Sequence, residues 1–129
     1  MRIINHEGLP REEWRTGVTA RMLISAIVGS KELCVFEEWC APGTSAPTHS
    51  HKVEEVLMVL SGKMEVWLGD ERGTLTKGES IIVPAGIGHG FRNAGDEELH
   101  LQAILSASFL ETILSPGGDV SVHWDSTSV

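Results

Sequence analysis

The sequence contains no tyrosine, which excludes a tyrosine acid and a tyrosine hydrogen bond to any substrate. Cysteine is scarce as well, with only Cys34 and Cys40 present. Six residues apart on one expected strand, they would stand about 20 Å from each other, too far for a disulfide. Both are expected to be reduced, small and buried. No apolar run approaches the roughly 20 residues that a membrane helix needs, and the longest, such as residues 56–60, are strand-sized. Positive charge is sparse and scattered. Ten Lys and Arg face 18 Asp and Glu, for a net charge of −8, and no basic run forms. That excess argues against nucleic acid and against an anionic membrane surface as partners. There is no low-complexity stretch and no internal repeat. The opening residues 1–7 turn polar too early for a signal peptide, so a cytoplasmic protein is expected.

What remains has the texture of an all-β protein. A length of 129 residues suits one domain over 1–129, with its core at about 20–115 and an arm at each end. Short runs rich in Val, Ile and Leu alternate with Gly, Pro, Asp and Asn. This punctuation predicts strands over 22–28, 33–40, 55–60, 63–68, 73–76, 80–83, 88–93, 99–105 and 109–114. One short helical turn is expected near 10–14, with Pro10 ahead of Glu12 and Glu13. Residues 125–129 read as a frayed tail.

Chemistry concentrates in two clusters. His49 and His51 stand two apart, so on a strand both imidazoles face one side. Glu55 follows from the start of the next strand, within reach of an ion held by those rings. His89 comes 34 residues later among Gly86, Gly88 and Gly90, which permit a close backbone approach. Three imidazoles and a carboxylate suit iron, manganese, nickel, copper, cobalt or zinc. They do not suit calcium or magnesium, which prefer oxygen shells. One divalent transition-metal ion per chain is expected, with positions left open for water, a small-molecule substrate or dioxygen.

These residues carry a resemblance. Gly43, five residues, His49, one residue, His51, three residues, Glu55, six residues and Gly62 are similar to the first cupin motif. Gly78, five residues, Pro84, one residue, Gly86, two residues, His89, three residues and Asn93 are similar to the second. Every fixed position is filled, and the two motifs cover 36 of 129 residues. The chain thus resembles the small single-domain bacterial cupins. The resemblance implies a cupin-type double-stranded β-helix, a jelly-roll barrel. It implies His49, His51, Glu55 and His89 as metal ligands, and Asn93 as a structural residue. It also implies a homodimer, with 109–114 and the turn at 116–118 as the candidate arm.

The resemblance leaves the reaction open, because this fold hosts many. The nitrogen-rich ligand set leads to the expectation of a dioxygenase, an oxidoreductase that binds substrate and dioxygen at the open positions. The alternatives are a redox-neutral isomerase, cyclase or decarboxylase, and a binding protein without turnover.

Neighbouring residues carry weaker expectations. Glu54 is expected in solvent, opposite Glu55. Either Glu37 or Glu38 must point inward, at the rim or as a general base. Alternation places His100 and Arg92 outside and Phe91 inside. Arg15, Arg21 and Arg92 could each contact an anionic substrate. His6 and His123 are expected at the surface.

Overall fold

The computed structural model describes residues 1–126; the end of the expected tail, 127–129, lies outside the described residues. Among the described residues, two antiparallel sheets of six strands each face one another. The first runs β1 (Glu12–Arg15), β2 (Val18–Ile24), β3 (Cys34–Cys40), β10 (Leu99–Leu105), β5 (Glu55–Ser61), β8 (Ser80–Val83). The second runs β12 (Val120–His123), β11 (Leu110–Leu114), β4 (Ser45–Ser50), β9 (His89–Asn93), β6 (Lys63–Leu68), β7 (Glu71–Thr76). Among the described residues, no helix is long and apolar enough to cross a membrane.

Period-two alternation builds the core. β3 turns Cys34, Phe36, Glu38 and Cys40 inward, and β10 turns Leu99, Leu101, Ala103 and Leu105 inward. They pack with Met64, Val66 and Phe91 of the facing sheet. Both cysteines are free and buried, as expected. The outward residues of the same strands form a separate cluster. His100 stacks on Trp39 at 4.7 Å, and Glu37 pairs with Arg21 at 3.1 Å and lies 3.5 Å from His100.

The closed jelly-roll barrel expected from the sequence does not form, because neither sheet closes on itself. Strands β1, β8 and β12 have four residues each, too short to carry a ladder round a corner. At the β1 and β12 edges the sheets meet through side chains instead. Trp14, Phe36, His123 and Trp124 form an aromatic cluster with ring centroids 5.1–5.6 Å apart. Glu12 accepts hydrogen bonds from the indoles of Trp124 at 3.1 Å and Trp14 at 3.4 Å.

Two local expectations also change. The expected helical turn at 10–14 is mostly β1, whose residues pair with Val18, Thr19 and Ala20 across a tight turn. Residues 26–28, expected as the end of a strand, form a 3-10 turn capped by the Ser25 hydroxyl.

Asn93 holds the base of the site in place. It is 1% exposed, and its amide donates to the carbonyls of Cys40 and Glu97, each at 2.8 Å. Its oxygen accepts from the Gly95 amide at 2.9 Å. One side chain thus ties β9 to the end of β3 in the opposite sheet. Asn93→Ala leaves these buried backbone groups unpaired and should cost about 3 kcal/mol. Urea denaturation would show this as a lower midpoint with an unchanged slope; a shift within error would mean that water replaces the amide.

Candidate metal centre and its cavity

Each of the four expected ligands stands at a strand end or just beyond one. His49 lies on β4, opposite His89, the first residue of β9. A register shift between Ala46 and His49 bends β4 at this point, as bulges do near sites. Gly90 makes the approach possible: a Cβ there would fall 2.4 Å from Trp67, whose indole donates to Thr48 on β4 at 2.9 Å. His51 follows β4 directly, and Glu55 opens β5 in the other sheet. Glu54 points into solvent, as alternation requires.

The three imidazoles bring one ring nitrogen each to within 4.8 Å of one another. Their orientation is fixed from behind. The Nδ1 of His49 bonds the Pro47 carbonyl at 2.6 Å, that of His51 the Glu111 carbonyl at 2.7 Å, and that of His89 the Ile87 carbonyl at 2.9 Å. A carbonyl only accepts, so each Nδ1 carries a proton, and a ring that is neutral keeps its lone pair on Nε2.

Glu55 then poses a problem that either added protons or a divalent cation solves. Its Oε1 lies 3.2 Å from the Nε2 of His89 and 3.5 Å from that of His51. A neutral imidazole has one N–H, already donated to the backbone, so lone pair would face carboxylate on both sides. Two added protons remove the repulsion, and one divalent ion does the same. Without an ion, burial would raise Glu55, yet its bonds to His51 and His89 hold the carboxyl down to about 2. Burial and the neighbouring His89 lower His49 to about 4, so this ring is neutral at pH 7. Burial also opposes charge on His51, but Glu55 outweighs it and raises the ring's pKa. The donor set fits a borderline divalent ion.

The centre lies in the wall of a cavity of about 420 Å³ between the sheets. Phe36, Leu57, Phe91 and Leu110 give it apolar walls. Phe91 faces in while Arg92 turns outward to Glu65 at 3.7 Å. Neither Glu37 nor His100 lines the cavity, but Glu38 does. Glu38 is 5% exposed, and the Cys40 thiol, a weak donor, lies 3.9 Å from its Oε2. Burial pushes this carboxyl up to about 7, against the pull of Arg15 and with a further push from Glu55. The same burial pushes Cys40 and Cys34 up to about 12, so both thiols stay protonated.

Two lining residues escaped the sequence reading. His123 was expected at the surface, but β12 brings it into the cavity wall. Arg15 stood level with Arg21 and Arg92 as a candidate, and it alone of the three lines the cavity. Both positions depend on which edge strands adjoin, and no local pattern carries that information.

Two facing antiparallel sheets with a histidine-rich centre between them define a β-protein with a cluster able to hold a divalent metal ion. The family model described as the cupin domain matches residues 38–106, and the chain belongs to the cupin family. It is 27% identical over 113 residues to auxin-binding protein 1 of Arabidopsis thaliana, covering 79% of this chain and 57% of that protein. It is 31% identical over 105 residues to H2HPP isomerase of Bacillus subtilis, covering 81% of this chain and 42% of the isomerase. The chain therefore spans about half the length of these two relatives. Among solved structures, the polyketide cyclase RemF from Streptomyces resistomycificus superimposes with a TM-score of 0.72 at 26% identity, over 81% of this chain and 78% of that one. An isomerase and a cyclase act without net oxidation. These relatives overturn the expectation of a dioxygenase and of an oxidoreductase.

The raised carboxyl of Glu38 has a consequence for stability. A carboxyl whose pKa rises on folding binds its proton more tightly when folded, so stability falls as pH climbs from about 4.5 to about 7. Glu38→Gln mimics the protonated form. In chelator-treated protein it should melt higher than the parent at pH 8, with most of that difference gone at pH 5. Equal melting temperatures at both pH values would show that Glu38 is solvated.

Proposed function

We propose that this chain is a metal-dependent, redox-neutral enzyme of the isomerase or cyclase kind, acting on a small carbonyl compound inside the cavity. One observation carries the reading: three imidazole nitrogens converge within 4.8 Å beside the Glu55 carboxylate, an arrangement that a divalent cation satisfies. His49, His51, Glu55 and His89 hold the ion. When bound, it supplies a Lewis acid that polarises a carbonyl oxygen and makes the adjacent C–H acidic.

The protein's own side chains do the rest. The apolar walls exclude water and hold the substrate body. Glu38 moves the proton: its Oε1, free of the Cys40 contact, takes H⁺ from the carbon beside the carbonyl. The C–H electron pair becomes a carbon–carbon double bond while the carbonyl pair moves onto oxygen. Where a further double bond is conjugated with this enolate, returning the proton to its far carbon gives an isomer; attack of the new nucleophilic carbon on a second carbonyl, whose oxygen takes the proton from Glu38, gives a ring. Neither outcome needs an oxidant, in keeping with the isomerase and cyclase relatives. A second reading, binding without turnover, draws support from the similarity to auxin-binding protein 1.

Elemental mass spectrometry on tag-free protein, purified without chelator, should find close to one divalent ion per chain. His51→Ala and His89→Ala should each lose most of it while keeping the parent's circular dichroism. Full occupancy in either variant would contradict the ligand assignment.

Proton transfer is tested by deuterium incorporation beside the carbonyl of small 2-oxo acids, followed by proton NMR in D₂O. The metal-loaded protein should accelerate exchange. Glu38→Gln should slow it about 100-fold with metal content unchanged. Exchange at the buffer rate with the parent protein would favour the binding reading.

A further inference from the structure

Four buried polar side-chain atoms lack a hydrogen-bond partner among the described residues: Arg15 NH2, Arg21 Nε, His100 Nε2 and His123 Nδ1. Arg21 and His100 belong to the outer cluster around Glu37. Arg15 and His123 both line the cavity. An unpaired buried donor costs about 1–3 kcal/mol. Two such groups in one cavity wall point to an acceptor that arrives with the ligand.

Arg15 is built to receive it. The register shift in β1 between Glu13 and Arg15 breaks the regular pairing where the side chain leaves the strand. Its Nε donates to the Ser45 carbonyl at 2.8 Å, which fixes the guanidinium while its buried NH2 nitrogen stays without a partner. No ion pair joins it to a carboxylate among the described residues. The cavity's other acids are otherwise engaged or distant. Glu12 is held by the indoles of Trp14 and Trp124, Glu13 is exposed, and Glu55 faces His51 and His89. Glu38, the remaining carboxyl, feels the charge of Arg15, but burial outweighs that pull and pushes the group towards its neutral form. On the adjoining edge, His123 packs against Trp14 at 5.1 Å.

We propose that Arg15 and His123 form an anion subsite in the cavity wall, and that the ligand is a carboxylate with an aromatic or otherwise apolar body. The forked guanidinium matches a carboxylate in two-point geometry. His123 offers a further N–H in its Nδ1-protonated form, and Phe36, Leu57 and Phe91 receive the apolar part. This deepens the enzyme reading and rests on it for the cavity's role: the substrate is a carbonyl compound that also bears a carboxylate.

The test compares 3-phenylpropanoate with its neutral isostere 3-phenylpropanamide, using tryptophan fluorescence of the metal-loaded protein, with Trp14 in the cavity wall as reporter. The parent should prefer the anion by at least about tenfold, the scale of one hydrogen bond to a charged group. Arg15→Gln should abolish most of that preference with metal content unchanged. Equal binding of the two probes, binding of neither, or a full preference in Arg15→Gln would overturn the proposal. Should Arg15→Gln fail to fold, Arg15→Lys carries the test. It keeps the charge but loses the fork, so the preference should fall at least about threefold, and an unchanged preference overturns the subsite. Metal content is read separately. A chain that holds no ion would sink the enzyme reading, while the anion preference and its loss on substitution would still report on Arg15.

Discussion

A carboxylate buried between two imidazoles whose Nδ1 protons are already committed to the backbone is the constraint on which the rest of this structure depends. The Nδ1–carbonyl bonds behind the rings are short, and they come from Glu111 on one side and Ile87 on the other. They fix the rings before any ion arrives, so the protein meets the cost of orientation during folding. The elements around the centre serve that arrangement. β4 shifts register to turn His49, Gly90 lets Trp67 approach, and β11 supplies a backbone oxygen to His51. The Nδ1 contact of His51 also makes the C-terminal hairpin part of the centre, although none of the four proposed ligands lies on it.

The same cavity separates two carboxyls by environment. Glu55 gathers partners that favour its charge, and Glu38 has a thiol and apolar walls that do not. Like groups driven apart in this way are a recurrent source of acid–base chemistry. The difference follows from strand position. Glu55 begins β5 beside the rings, whereas Glu38 lies deep in β3 between Phe36 and Cys40.

Much of this was legible in the sequence, wherever a strand is regular and buried on one face. The alternation of β3 separates Glu37 from Glu38, that of β10 turns His100 out, and that of β9 separates Phe91 from Arg92. The spacing of His49, His51 and His89 announced the cluster that the fold assembles. What stayed hidden lies at the edges. Pro10 and two glutamates read as a helix start, but β1 gains its pairing from β2. The expectation of a closed barrel failed because closure depends on whether edge strands are long enough to pair, which no local pattern states. His123 was invisible for a related reason: Glu12 and Trp124, 112 residues apart, bond across the two sheet edges and draw it into the wall.

The aromatic clasp at those edges divides the molecule in a way that bears on its descent. The segment matched by the family model, 38–106, contains all four proposed ligands and Glu38, but neither Arg15 nor His123. On the proposed reading, reaction chemistry and ligand choice are encoded in separate stretches of the gene: the middle that the family model matches, and two flanks that meet only after folding. Exchange of the flanks by recombination could retarget the cavity to a new ligand while leaving the machinery of proton transfer untouched.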